Sequence, residues 1–214
     1  MNKKLFDQAL IEYCEAHTTS ISQVLHELER ETHLKTLSPQ MISGPLQVQL
    51  LQFISKMIQP ACILEIGTFT GYSAICMAQG LQKDGSLHTI EANLELEYII
   101  RPFLKKANLE DQIHLYMGDA RTIVPTMDLT FDLVMIDAGK KDNGLYFDLV
   151  LDKIRSGGFI LVDNVLWSGK VFAQNPPDKD TRLIHAFNKK IQEDDRVENV
   201  LLPIRDGLIV IRKL

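Results

Sequence analysis

The first sixty residues carry apolar side chains at helical spacing. Leu5, Phe6, Ala9, Leu10 and Tyr13 fall on one stripe, and Ile21, Val24, Leu25 and Leu28 fall on another. Both follow the period of an amphipathic helix. Thr19 or Ser20 is the expected N-cap of the second helix. Residues 37–44 read as a loop. Pro45 suits the first turn of a third helix, whose Leu46, Leu50, Leu51, Ile54 and Ile58 are expected to face inward. After Pro60 the pattern changes. Short apolar runs at 61–66, 86–90, 113–117, 131–136 and 159–162 read as strands buried on both faces. Helical patterns cover 71–80, 94–107, 141–155 and 179–194. Pro102 predicts a kink or a boundary in the second of these. Two last strands, 197–202 and 208–211, are joined by Pro203-Ile204-Arg205-Asp206-Gly207. That connector is too short for a parallel crossover, so the pair is an antiparallel hairpin. Alternating strands and helices predict an α/β sheet wound on both faces, made mixed by the hairpin.

Composition narrows the class. The chain has 214 residues, 45% apolar and 24% charged, which suits one globular domain and excludes a disordered, collagen-like or rod-like chain. The net charge of −5 gives no global reason to bind nucleic acid or an anionic membrane, although it leaves room for a local basic patch. Three cysteines, Cys14, Cys62 and Cys76, make no disulfide framework and no C-x-x-C metal motif. Cys62 and Cys76 read as small buried hydrophobes. Asp7, Gln8 and Glu12 interrupt any signal-peptide core. No apolar run reaches a membrane span, so a cytoplasmic protein with no membrane partner is expected.

In such sheets ligands bind beyond the carboxyl ends of the strands, so the residues just after each strand are the candidates for chemistry. After the first strand comes Glu65-Ile66-Gly67-Thr68-Phe69-Thr70-Gly71-Tyr72-Ser73. Gly67 and Gly71 allow a close backbone approach to a ligand. The G-x-x-x-G spacing is not that of a dinucleotide loop. Glu65 would repel a phosphate but welcome an ammonium or sulfonium cation. Glu91, after the second strand, stands where an acid hydrogen-bonds ribose hydroxyls in nucleoside-binding folds. It could equally be a solvated helix-start acid. Asp119, in Gly118-Asp119-Ala120, can accept from an adenine amino group or cap the next helix. Asp137 comes after the fourth strand, and Asp163 and Asn164 come after the fifth. If those strands are neighbours, about 4.8 Å apart, three oxygen donors converge in a set suited to a hard cation such as Mg²⁺. Helix capping is the plainer reading of such acids. Lys140, three residues past Asp137, could be a base, a charge neutraliser or a surface lysine. The six histidines are scattered, and neither a nucleophile elbow nor a phosphate-binding loop is present.

Five segments in order resemble the cation-dependent class I O-methyltransferases, the caffeoyl-CoA and catechol O-methyltransferase family, in its bacterial type. They are LEIGTFTGYS at 64–73, GDA at 118–120, FDLVMIDA at 131–138, VDNVLWSG at 162–169 and LPIRDGL at 202–208. The resemblance runs from about Met41 to the end. It implies one S-adenosylmethionine-dependent domain over 1–214. A helical segment, 1–58, would precede a Rossmann-like core, 61–214, with a seven-stranded mixed sheet. It implies cofactor contacts by Ser43, Glu65, Gly67, Thr68, Ser73, Glu91, Gly118, Asp119, Ala120 and Asp137. Asp137, Asp163 and Asn164 would hold Mg²⁺ or another divalent cation. Lys140 matches the general base of the catechol enzymes, with Asp137 beside it, and Met41, Trp167 and Ser168 fall where the family lines its substrate pocket. Gly139 stands where an acid is usual and Asn143 where a tyrosine is.

The implied chemistry suits these residues. A vicinal aromatic diol chelated by the cation would lose a proton and attack the sulfonium methyl group, with Lys140 taking the proton or stabilising the anion. A small aromatic diol is therefore the expected substrate. The alternative acceptor is 5-hydroxyuridine in tRNA, which offers a similar chelating pair. A basic rim of Lys35, Lys140, Lys141, Lys170, Arg182 and Arg205 would favour it. A non-catalytic S-adenosylmethionine-binding scaffold is the third reading. The N-terminal apolar stripes, together with the family habit, imply a homodimer.

Overall fold

The computed structural model describes residues 8–173 and 178–214. Seven strands form its sheet: β1 (Cys62–Ile66), β2 (Ser86–Glu91), β3 (Ile113–Met117), β4 (Phe131–Ile136), β5 (Ile154–Asp163), β6 (Val197–Leu202) and β7 (Leu208–Lys213). Their order is β3-β2-β1-β4-β5-β7-β6. The first five run parallel, and β7 is antiparallel to both β5 and β6. The expected mixed sheet with its terminal hairpin is what forms.

Among the described residues eight α-helices surround it: α1 (Gln8–Ala16), α2 (Gln23–Lys35), α3 (Pro45–Ile58), α4 (Tyr72–Ala78), α5 (Glu97–Lys106), α6 (Ala120–Thr126), α7 (Asn143–Leu151) and α8 (Lys179–Gln192). Alternation along the strands splits the core in two. Ile63, Leu87, Leu133 and Leu161 pack under α2, α3, α4 and α5. Leu64, Val134, Ile136, Ile160 and Val162 pack under α6, α7 and α8. Each such side chain, once fully buried, contributes about 1.5–3 kcal/mol. Cys76 is buried, Cys62 is partly so, and all three cysteines are free. Among the described residues no helix is long and apolar enough to cross a membrane.

Several boundaries differ from the sequence expectation. The N-cap of α2 is Ser22, not Thr19 or Ser20. Pro102 lies inside α5 rather than ending it. The buried face of α3 is set by Gln47, Val48, Gln49, Leu51, Ile54 and Ser55, with Leu50 and Ile58 partly buried at its flank. Helix α7 ends at Leu151, and β5 starts at Ile154, five residues before the expected 159. The extra length is a bulge: Phe131 pairs with Ile154, but Leu133 pairs with Phe159. Arg155, Ser156 and the two glycines after them fill it, a composition with no strand pattern. Asp132 anchors the bulge by accepting from Arg155 Nε at 2.5 Å. Helix α6 is too short, at seven residues with Pro125 inside, to show a period. Leu5 and Phe6 of the first stripe lie outside the described residues. The rest of that stripe is not core, since α1 has no buried residue.

Candidate functional site

The parallel strands align their carboxyl ends. Ile66 pairs with Ile136, and Ile136 pairs with Val162. The next residues, Gly67, Asp137 and Asp163, therefore stand side by side, as expected if β4 and β5 are neighbours. Asp137 N donates to Ile66 O at 2.9 Å. A Cβ on Gly67 would lie 2.1 Å from Asp137 O, and its φ is +101°. Only glycine allows this approach.

Above these ends lies a cavity of about 1560 Å³. It brings together Gly67, Glu91, Gly118, Asp119, Ala120, Asp137, Lys140, Asp163, Asn164, Met41, Trp167 and Ser168. Ser43, Glu65, Thr68 and Ser73 are buried and do not line it.

Glu65 is fully buried. Its Oε1 accepts from Ser73 Oγ and its Oε2 from Thr89 Oγ1, both at 2.5 Å. Burial pushes its pKa up to about 8, against the pull of those two hydroxyls. The carboxyl that the sequence offers to a cation is thus spent beneath the loop. It shapes the glycine turn rather than facing the cavity. Thr68 continues the chain, with its Oγ1 2.5 Å from that of Thr89.

Glu91 does face the cavity, while organising the same loop. Its Oε2 accepts from Phe69 N at 2.7 Å and its Oε1 from Asn93 N at 2.8 Å. Burial raises its pKa and the backbone N–H groups oppose that rise. The N–H groups of Ala92 and Thr68 also lie against its carboxylate, and the residue still lines the cavity. Asp119 realises its capping alternative: it accepts from Arg121 N at 2.9 Å and from Arg121 Nη2 at 2.5 Å. Those bonds hold its carboxyl below the usual range.

At the β4 and β5 ends the charges are dense. Lys140 Nζ pairs with Asp137 Oδ1 at 2.5 Å. Asp163 is only 2% exposed. Burial, and then Asp137, push its pKa up to about 6, while Gln47, Lys140 and Asn164 N oppose them. Asn164 N donates to Asp163 Oδ1 at 2.7 Å. Among the described residues no three His, Cys, Asp or Glu side chains form a metal-binding group. The candidate set is two carboxylates and the Asn164 amide.

The wall bearing Trp167 and Ser168 is strained. Asn164, Trp167 and Ser168 have φ of 61°, 49° and 53°, a region costly for residues other than glycine. The β6–β7 connector holds it in place. Leu166 N donates to Asp206 O at 2.8 Å and Val165 N to Gly207 O at 3.1 Å. Ser168 N bonds the Asp206 carboxylate.

Sequence reading misses Thr89, Gln47, Arg121 and the positioning use of Asp206. Thr89 has a signal: a polar residue inside the run read as the second strand, which the fold registers opposite Glu65. Gln47 has a weaker one, a polar residue beside the apolar face of α3.

The O-methyltransferase family model matches residues 15–214. The chain is 35% identical over 176 residues to catechol O-methyltransferase domain-containing protein 1 of Mus musculus, covering 78% of this chain and 66% of that protein. It is 33% identical over 183 residues to caffeoyl-CoA O-methyltransferase of Mesembryanthemum crystallinum, covering 78% and 70%. The matched region thus spans about two thirds of these relatives. The O-methyltransferase from Bacillus cereus, solved in complex with SAH, superposes with a TM-score of 0.88 at 29% identity, covering 96% of this chain and 97% of that one.

Proposed function

The chain belongs to the O-methyltransferase family, and from that premise we propose that it transfers a methyl group from S-adenosylmethionine to a hydroxyl of a small vicinal aromatic diol held by a divalent cation. The observation that carries this reading is the meeting of Asp137, Asp163, Asn164 and Lys140 in the same cavity as Gly67 and Glu91.

The cofactor side is the cleft along β1, β2 and β3. Gly67 leaves backbone open to the ligand, and the Glu91 carboxylate on the cavity wall suits ribose hydroxyls. Ala120 and Gly118 line the far end, where a base would lie. Glu65, Thr68 and Ser73 act beneath, by fixing the turn. Ser43, likewise buried, is assigned to the cofactor by family likeness alone.

The donor set fits a hard divalent cation. Asp137, Asp163 and Asn164 line one cavity, and Asp163 is buried beside a second acid with one nearby lysine. Asp137, Asp163 and Asn164 would hold the ion. When bound, it would lower the pKa of a chelated hydroxyl and hold the diol for an in-line attack. Lys140 would receive the hydroxyl proton as the neutral amine, or, as the ammonium that pairs with Asp137, would balance the resulting oxygen anion. That oxygen forms the new C–O bond as the sulfonium S–C bond breaks. Trp167, Ser168 and Met41 shape the acceptor wall.

The cavity is electrically mixed. Lys35, Arg121, Lys140, Lys170 and Arg205 line it, but so do Glu91, Glu95, Asp119, Asp137, Asp163 and Asp206. Of the basic rim that would favour tRNA, Lys141 and Arg182 lie off the cavity. That balance supports a small chelating acceptor over a polyanion. A second copy of the chain is the proposed partner, supported by exposed Leu10, Tyr13, Phe53 and Met57 on α1 and α3.

The test is methyl transfer from labelled S-adenosylmethionine to 3,4-dihydroxybenzoate, with Mg²⁺ and with EDTA. Transfer that EDTA abolishes is the expected result. Transfer that EDTA leaves intact removes the cation. Cofactor binding without transfer to any diol returns the weight to hydroxylated tRNA or to a scaffold role.

A further inference from the structure

Among the described residues five cationic side chains line the cavity: Lys35, Arg121, Lys140, Lys170 and Arg205. Four of them already hold a carboxylate. Lys35 pairs with Glu31 at 2.6 Å, Arg121 with Asp119 at 2.5 Å, Lys140 with Asp137 at 2.5 Å and Lys170 with Asp178 at 3.5 Å. Among the described residues no carboxylate forms an ion pair with Arg205. Its partner is neutral: Nη1 donates to Gln47 Oε1 at 3.3 Å. Gln47 is fully buried on α3, so that amide is a fixed post. A guanidinium has five N–H donors, and this bond uses one of them. The stem lies against the start of α3, where a Cβ on Gly44 would be 3.6 Å from Arg205 Cδ. The backbone at Arg205 has a φ of +48°, in the left-handed region that favours glycine. Strain of this kind collects at ligand clamps. The next residue, Asp206, holds the wall of Trp167 and Ser168 through Leu166 N and Ser168 N. Arg205 therefore stands on the acceptor side of the cavity.

We propose that Arg205 selects the acceptor by binding a carboxylate substituent on the aromatic diol with the free edge of its guanidinium. The inference rests on the diol reading above and narrows it to acidic diols. A guanidinium fork matches a carboxylate with two parallel hydrogen bonds. The Gln47 amide orients that fork without cancelling its charge, as a carboxylate in its place would. Arg205 is exposed, so solvent screens the pair. The expected preference for an acid over a neutral diol is therefore about five- to tenfold, between that of a surface ion pair and that of a sheltered charged hydrogen bond.

The experiment measures calorimetric binding of 3,4-dihydroxybenzoate, and of its neutral methyl ester, to the SAH-loaded whole chain with Mg²⁺. SAH affinity is measured on the same proteins. Arg205→Met keeps the apolar stem and the same backbone demand but removes the charge. It should weaken binding of the acid to the level of the ester and leave the ester unchanged. Arg205→Lys keeps a charge without the fork and should retain part of the preference. A merely structural role would weaken acid and ester by the same factor, and that result overturns the proposal. An unchanged preference in Arg205→Met overturns it too, as does a wild type that does not distinguish acid from ester. A fall in SAH affinity in Arg205→Met would assign the guanidinium to the cofactor's own carboxylate, with the same consequence. Benzoate binding in EDTA separates this inference from the diol reading. If neither diol binds or is methylated, the diol reading fails. Benzoate binding that Arg205→Met abolishes would then still support the carboxylate site, and no benzoate binding would remove it.

Discussion

Thr89 stands opposite Glu65 on the neighbouring parallel strand, and its hydroxyl donates to Glu65 Oε2 at 2.5 Å. The pair is wholly buried. It converts a carboxyl at the end of an apolar strand into the support of a glycine turn, with Ser73 on the other oxygen. Thr89→Val keeps the shape and leaves one Glu65 oxygen unpaired. The expected cost is about 1–3 kcal/mol, read as a lower urea midpoint at unchanged slope. A midpoint equal to wild type would show that the bond carries no net stability.

Gly67→Ala tests the close approach of β1 to β4. Its φ of +101° and the 2.1 Å gap to Asp137 O leave no room for a methyl group. Strain of this kind costs about 1–3 kcal/mol before the clash with backbone is counted. A lower thermal midpoint together with weaker SAH binding by calorimetry is expected. A variant that melts and binds as wild type does would place the turn elsewhere.

His88 ties acid sensitivity to the sheet. It is buried between Ser86 Oγ, 3.1 Å from Nε2, and Tyr116 Oη, 3.0 Å from Nδ1. Burial, and then the nearby His114, lower its pKa to about 4. The unfolded chain takes up the proton near pH 6.5. Stability from the neutral ring is therefore complete above about pH 6.5 and is lost as pH falls towards 4. His88→Gln should lose less stability than wild type over that interval in urea titrations. Parallel losses in the two proteins would remove His88 as the cause.

The proposed chemistry separates two residues of the same cavity. Asp163→Ala should abolish the metal-dependent transfer while SAH binding stays near wild type, because Asp163 is assigned to the cation and not to the cofactor. Full activity in that variant would end the assignment. Lys140→Met should lower kcat by about 10²–10⁴ with little change in KM for S-adenosylmethionine. A rise in KM at constant kcat would instead make Lys140 a binding residue.

Much of this is present in the residue pattern. Apolar runs of five or six residues fall in a buried parallel sheet because both faces need covering, so β1 to β4 appear where the runs are. The five-residue connector compels the β6–β7 hairpin by its length. Placing Gly67, Glu91, Asp137 and Asp163 immediately after strands is enough to bring them to one edge, since parallel strands share one direction.

Tertiary register decided which partner each side chain found, because a hydrogen bond depends on a neighbour that local spacing does not specify. Glu65 and Glu91 look alike as acids near strand ends, yet one is sealed under the loop by Thr89 and Ser73 while the other lines the cavity. Asp119 reads as a cap or a ligand contact, and folding gives it the cap, with Arg121 on its carboxyl, while it lines the cavity. The bulge hides the start of β5, for two glycines and an arginine show no alternation until Asp132 anchors them. Gln47 reads as a polar interruption of α3 until folding buries it and sets Arg205 on its amide oxygen. The apolar stripe of α1 marks a sticky face, but period alone does not say whether its own chain or another covers it.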